Sequence, residues 1–156
     1  MLRLACSTYI VALTAAALCA QSDTPPPVVA TTAMVGLAEG QTAQLNLLNP
    51  GAVPPATAAI CTATVTFYDA DGINLKSSVL PVLPGKSLSF DLHDTELGLA
   101  VGGRREIRAV IVIPAAVPAS ATATPTPACK VIPTLEIFDS ISGHTLVTLG
   151  HVEVVP

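Results

Sequence analysis

Apolar residues in this chain recur in short period-two runs broken by Gly, Pro, Asp and Asn. Ala43, Leu45 and Leu47 alternate with Gln44 and Asn46, and Leu88 and Phe90 alternate with Ser87, Ser89 and Asp91. Strict alternation over so few residues is the mark of a strand with one buried face. The pattern predicts strands over Val28–Val35, Thr42–Leu48, Thr62–Tyr68, Asn74–Leu83, Ser87–Leu92, Arg105–Ile113, Val131–Phe138 and Thr145–Val155. Glu39-Gly40 and Pro84-Gly85 read as turns, and a phase change at Gly150 reads as a bulge. Only Asp91–Val101 has the composition for a helical turn.

Short strands separated by frequent turns imply two packed antiparallel sheets. The expected fold is all-β, an immunoglobulin-like antiparallel β-sandwich of about seven or eight strands over residues 28–156. On that template Thr62–Tyr68 and Val131–Phe138 flank Arg105–Ile113 in one sheet.

One pattern occurs twice. A Pro/Ala-rich loop leads into Cys61, then Val65-Thr66-Phe67-Tyr68 and the turn Asp69-Ala70-Asp71-Gly72. A second, Pro114–Ala128, leads into Cys129, then Leu135-Glu136-Ile137-Phe138-Asp139, closed by Gly143. If the two strands flank a common neighbour, the cysteines meet at one end of that sheet, just outside the ladder. Inside it they would stand about 10 Å apart, two strand spacings, too far for a disulfide.

Ile107-Arg108-Ala109-Val110-Ile111-Val112-Ile113 is apolar on both alternations, as in a strand covered on both faces. Ile107, Ala109, Ile111 and Ile113 point inward on this reading. Val110 and Val112 point outward, near Tyr68 and Phe138, with Arg108 and Glu136 beside them. Either the terminal strand or a loop covers this outer face, or it is a candidate partner surface comprising Tyr68, Arg108, Val110, Val112 and Phe138.

The first twenty residues change the reading of the cysteines. Arg3 is the only charge before Asp23, and residues 4–18 are mostly apolar, which reads as an export signal cut near Ala20. Residues 21–27 form a Pro-rich tether. The apolar run is short for a membrane span, which needs roughly 20 residues. An uncleaved anchor and lipidation at Cys19 are the rival readings. Cleavage removes Cys6 and Cys19, and the remaining pair in an exported chain is most simply a disulfide, Cys61–Cys129. Two buried free thiols are the alternative. The expected location is secreted or periplasmic.

Loss of Arg3 leaves six basic side chains against eleven acidic, a net charge of −5, with no basic stripe. Nucleic acid is therefore not an expected partner. The chain has no Trp, and only Phe67, Tyr68, Phe90 and Phe138 remain as aromatics beyond residue 20. Its core must be aliphatic.

Candidate chemistry is sparse. Asp69-Ala70-Asp71-Gly72 resembles half of a calcium loop but lacks the closing Glu, and a hairpin turn explains the same residues. Asp91-Leu92-His93-Asp94 sets carboxylates beside an imidazole, which suits a general base or a metal ligand. Asp94 and Glu96 could act as a carboxylate pair. Neither a GxSxG nor an HExxH motif accompanies them. No metal or cofactor is implied.

Gly36–Asn46 with its Gly40-Gln41-Thr42 turn, the Val65–Gly72 hairpin, Leu83-Pro84-Gly85-Lys86-Ser87 and Leu135–Asp139 resemble, in that order, a group of uncharacterised secreted bacterial proteins. The resemblance covers most of the chain beyond the leader. It implies a β-sandwich outside the cytoplasm and carries no activity, ligand or site residue.

The expected function is a secreted, non-catalytic module, binding an unknown protein or surface partner or serving as a structural component of the envelope. The alternative is a hydrolase or metal-binding domain using the Asp91/His93/Asp94 loop. The intact mass of the exported protein is expected to start near Gln21 and to lie two hydrogens below the dithiol form. A retained leader or two alkylatable thiols would contradict this reading.

Overall fold

The computed structural model describes residues 27–51, 60–114, 129–150 and 153–155. The expected leader, nearly all of the tether and most of both Pro/Ala-rich loops lie outside the described residues. Ten strands are present among those described: β1 (Val28–Thr31), β2 (Val35–Ala38), β3 (Gln41–Leu48), β4 (Cys61–Asp69), β5 (Asn74–Val82), β6 (Ser87–His93), β7 (Arg104–Ile113), β8 (Ile132–Asp139), β9 (Thr145–Leu149) and β10 (Glu153–Val155). A 3-10 turn at Asp94–Leu97 fills the one stretch with helical composition.

The strands form two antiparallel sheets. The larger runs β10-β1-β7-β4-β5, with β2 also on β7, and the smaller runs β6-β3-β8-β9. Their inner faces meet in an aliphatic core. Ala43, Leu45 and Leu47 of β3, Leu135 and Ile137 of β8, and Ile107, Ala109 and Ile111 of β7 are all buried there, as the alternation requires.

Two predicted strands divide. Val28–Val35 ends after Thr31, and the chain resumes pairing as β2, so β1 and β2 lie end to end along one edge of β7. Thr32 holds the break closed: its amide donates to the Ala109 carbonyl at 2.9 Å, and its hydroxyl accepts from the Ala109 amide at 2.9 Å. The last predicted run also divides. Gly150 marks a change of sheet rather than a bulge, because β9 pairs with β8 in the small sheet and β10 with β1 in the large one.

The main correction concerns β8. It does not neighbour β7, which pairs with β4 on one side and with β1 and β2 on the other. Instead β8 pairs with β3 and β9 in the opposite sheet. The physical reason is the length of the preceding connection. At up to about 3.3 Å per residue it can easily cross the roughly 10 Å between sheets, so sequence adjacency does not force pairing. The N-terminal strands then fill the edge of β7, burying Ala30 and Leu37 beneath it.

The repeated pattern is nevertheless a structural repeat, one copy per sheet. Hairpins β4–β5 and β8–β9 each carry a register shift just before the aspartate, between Phe67 and Tyr68 and between Ile137 and Phe138. Each stands at one end of its sheet order, paired onward to β7 or β3. The disulfide Cys61–Cys129, with Cα atoms 5.3 Å apart, joins the approaches to the two copies. It runs from the large sheet to the segment entering the small one.

Strand β4 is thus fastened to the opposite sheet at both ends. Six residues beyond Cys61, the buried Phe67 ring stacks on Phe90 of β6, with centroids 5.5 Å apart and planes inclined by 16°. Lys76 Nζ lies 5.5 Å from the Phe90 ring centroid. Phe67→Ala is expected to destabilise the fold by about 3–5 kcal/mol, and Cys61→Ala with Cys129→Ala by about 2–5 kcal/mol. The fixings are roughly 20 Å apart along β4, so the losses should add in urea titrations. A triple variant no weaker than Phe67→Ala alone would contradict independent fixings.

Candidate functional site

The structure separates the five residues of the predicted partner surface. Tyr68 of β4 pairs with Arg108 of β7, and Val110 and Val112 follow along the same outer face of the large sheet. Phe138 is on the outer face of the small sheet, beside Thr42, with Glu136 opposite Gln44. Four of the five therefore share a face, and Phe138 leaves it because β8 changed sheets.

What replaces Phe138 comes from strands placed elsewhere by sequence reasoning. Across the large sheet, Val79, Thr64, Val112 and Val29 stand in one transverse row, and Ser77, Thr66, Val110 and Thr31 in the next. These eight positions carry no charge, and all but Ser77 are Val or Thr. Val79 is 58% exposed, whereas Thr66 is buried at 8% with its hydroxyl 2.9 Å from that of Ser77. The period-two run Thr62-Ala63-Thr64-Val65-Thr66 was the available signal for this face; the partnership of Val29 and Thr31 with β7 had none. The terminal strand β10 pairs at the sheet edge, beside β1, and does not lie over these rows.

The Asp91/His93/Asp94 stretch is built differently from a convergent site. Asp91 and His93 are on the outer face of the small sheet, in register with Gln44 and Thr42. Gln44 Nε2 donates to Asp91 Oδ1 at 3.0 Å, and the Thr42 hydroxyl lies 3.0 Å from His93 Nδ1. Thr42 also meets the Ser140 hydroxyl at 2.8 Å, a contact no sequence signal marked. Asp94 Oδ2 turns away to accept the Gly40 amide at 2.8 Å, closing the β2–β3 turn.

Glu96 reaches to Lys76, 2.8 Å away, and accepts the His93 amide at 2.9 Å. Partial burial pushes the Glu96 carboxyl up, but the bonds from Lys76 and His93 and the Lys76 charge outweigh it, leaving its pKa below the ordinary value. These side chains join the 3-10 turn to β5, β3 and the β2–β3 turn. Among the described residues no group of three or more His, Cys, Asp or Glu is placed to hold a metal ion.

The two aspartate turns are self-contained. Asp69 Oδ1 accepts the amides of Asp71 and Ile73 at 3.0 and 2.8 Å. Asp139 Oδ1 accepts those of Ile141 and Ser142 at 3.1 and 2.6 Å, with the Ser142 hydroxyl at 2.8 Å. Gly72 and Gly143 supply the left-handed residue in each, at φ of 79° and 72°. The carboxylate that looked like half a calcium loop is occupied by backbone donors.

Comparison with protein-family models, with curated proteins and with solved structures finds no match to this chain. Its class is therefore set by the fold: a disulfide-linked antiparallel β-sandwich. No helix among the described residues is long and apolar enough to cross a membrane.

The Ser142 amide, then its hydroxyl, hold the Asp139 carboxyl below its ordinary value of 3.8. A depressed carboxylate adds stability that is complete above the ordinary value and is lost as pH falls through the lowered one. The stability difference between the wild type and Asp139→Asn should therefore shrink as pH is lowered from 5 to 2. A difference constant over that range would contradict the assigned bonds.

Proposed function

We propose that this chain is an exported, non-catalytic β-sandwich module that works by binding a protein or surface partner, or as a structural component of the envelope. The outer face of the large sheet is its contact surface. The observation that carries this reading is the pair of charge-free rows spanning β5, β4, β7 and β1. On a chain with net charge −4, two adjacent rows of Val, Thr and Ser across these four strands carry no charged side chain, and the first charge along the rows stands beyond them, at Glu153 of β10 in register with Thr31. Exposed apolar surface marks interaction sites in soluble proteins, and Val79, Val112, Val29 and Val110 supply the apolar part of these rows. Tyr68 and Arg108 lie in the next row, and both residue types are enriched at binding hot spots.

Export rests on the leader-like N-terminus and on the disulfide, since such bridges persist in oxidising compartments. The resemblance of its turns and cysteine-led hairpins to uncharacterised secreted bacterial proteins points to the same location. The hydrolase or metal-site alternative gains no support from the loop geometry, where Asp91, Asp94 and Glu96 each accept a bond within the fold.

The test compares the two outer faces. Val110→Lys and Val112→Lys should each abolish partner capture by the exported protein, with unchanged circular dichroism and thermal midpoint. Thr134→Lys, on the outer face of the small sheet, should leave capture intact. Capture retained by both valine variants, or lost equally in all three, would overturn the assignment of this face.

A further inference from the structure

Strand β7 brings two arginines to the outer face of the large sheet, and they are placed differently. Arg104, Glu106, Arg108, Val110 and Val112 follow one another along that face at two-residue intervals. Arg104 and Glu106 engage each other, with Nη2 2.7 Å from Oε1. The pair is seated on β2, where Gly36 stands opposite Glu106 and a Cβ at Gly36 would overlap the Arg104 guanidinium. Arg108 is left without a carboxylate. It is exposed, it joins no ion pair among the described residues, and Glu106, the one acid on its strand, is held by Arg104. Tyr68 stands opposite it on β4, and the half-buried Val110 and Val112 continue from it into the charge-free rows.

We infer that the partner of this face is an extended protein segment that presents one carboxylate to Arg108 and aliphatic side chains to Val110 and Val112. The inference deepens the contact-surface reading above and rests on it. Charge complementarity selects the acid. A guanidinium binds a carboxylate through two parallel hydrogen bonds, whereas apolar surface laid over Arg108 would leave a covered charge unpaired, at high cost. Further acids are disfavoured by Glu106 and by the net charge of −4, so the segment carries a single one there. Breadth selects a protein, because the rows span three strand spacings, about 14 Å, far wider than one acyl chain. Spacing selects an extended segment, which repeats side chains on one face every two residues, about 7 Å, the interval separating Arg108, Val110 and Val112.

The test is an NMR titration of the isotope-labelled exported protein with the peptide acetyl-Ser-Glu-Ser-Val-Ser-Val-Ser-amide, which sets one carboxylate and two valines on one face. The Arg108 Nε–H signal and the Val110 and Val112 methyl signals should shift together and saturate. Replacing the peptide's Glu by Gln should weaken binding by roughly three- to fivefold, the size of an ion pair at a partly exposed site. Arg108→Gln, with unchanged signal dispersion, should bind both peptides equally, and Arg108→Lys should recover part of the preference. Shifts at the valines without a preference for Glu would overturn the inference and leave the contact face standing. An absence of shifts on the large sheet would also overturn it, the face itself being judged separately by capture in Val110→Lys and Val112→Lys. Two other occupants would overturn it as well. A second copy of the chain would shift the same signals with protein concentration and no peptide, and a lone acyl carboxylate would let hexanoate shift them at concentrations no higher than the peptide's.

Discussion

Two sheets of aliphatic side chains stay folded only while their inner faces remain in contact, and here that contact is fixed at both ends of β4. At one end the Cys61–Cys129 bridge reaches to the approach to β8; at the other Phe67 stacks on Phe90 of β6. Between them Ala63 and Val65 face the core, fully buried but small. Without tryptophan, and with one aromatic pair, the interior gains modest burial energy per residue. The covalent link and the ring pair compensate by limiting how far the sheets can part.

The two-copy hairpin gives the sandwich its plan. Each sheet holds one copy, with the same bulge and the same onward pairing, and a carboxylate-held turn that is one residue longer in the second copy. The remaining strands then differ. Strand β3 needs only β6 to complete its sheet, whereas the longer β7 takes two short strands end to end, joined by Thr32 through its own side chain. The outer faces diverge accordingly. The small sheet displays hydrogen-bonded polar residues such as Gln44, Asp91 and His93, and the large sheet displays neutral β-branched ones.

Much of this was legible in the order of residues. Alternation placed the core positions of β3 and β7, the even cysteine pair predicted the bridge, and Asp-to-Gly spacing predicted the turns. The sheet assignment of β8 was not legible, because alternation fixes which face of a strand is buried and says nothing about its neighbours. Once β8 is misplaced, Phe138 joins the wrong face and Val29 and Val79 are overlooked. Gly150 misled for a related reason, since a phase change accompanies a bulge and a change of sheet alike. The Thr42–Ser140 contact depends on two turns meeting at the end of the small sheet, a long-range event with no local signature.

The central claim is that the hairpins occupy opposite sheets, with the N-terminal strands and not β8 beside β7. Backbone NOE contacts along β7 in the oxidised protein test it directly. Cross-strand contacts are expected between Val110 and Thr31, Val112 and Val29, and Glu106 and Gly36, together with those between Gln44 and Glu136 in the other sheet. A ladder of contacts between β7 and residues 132–139 would contradict the account.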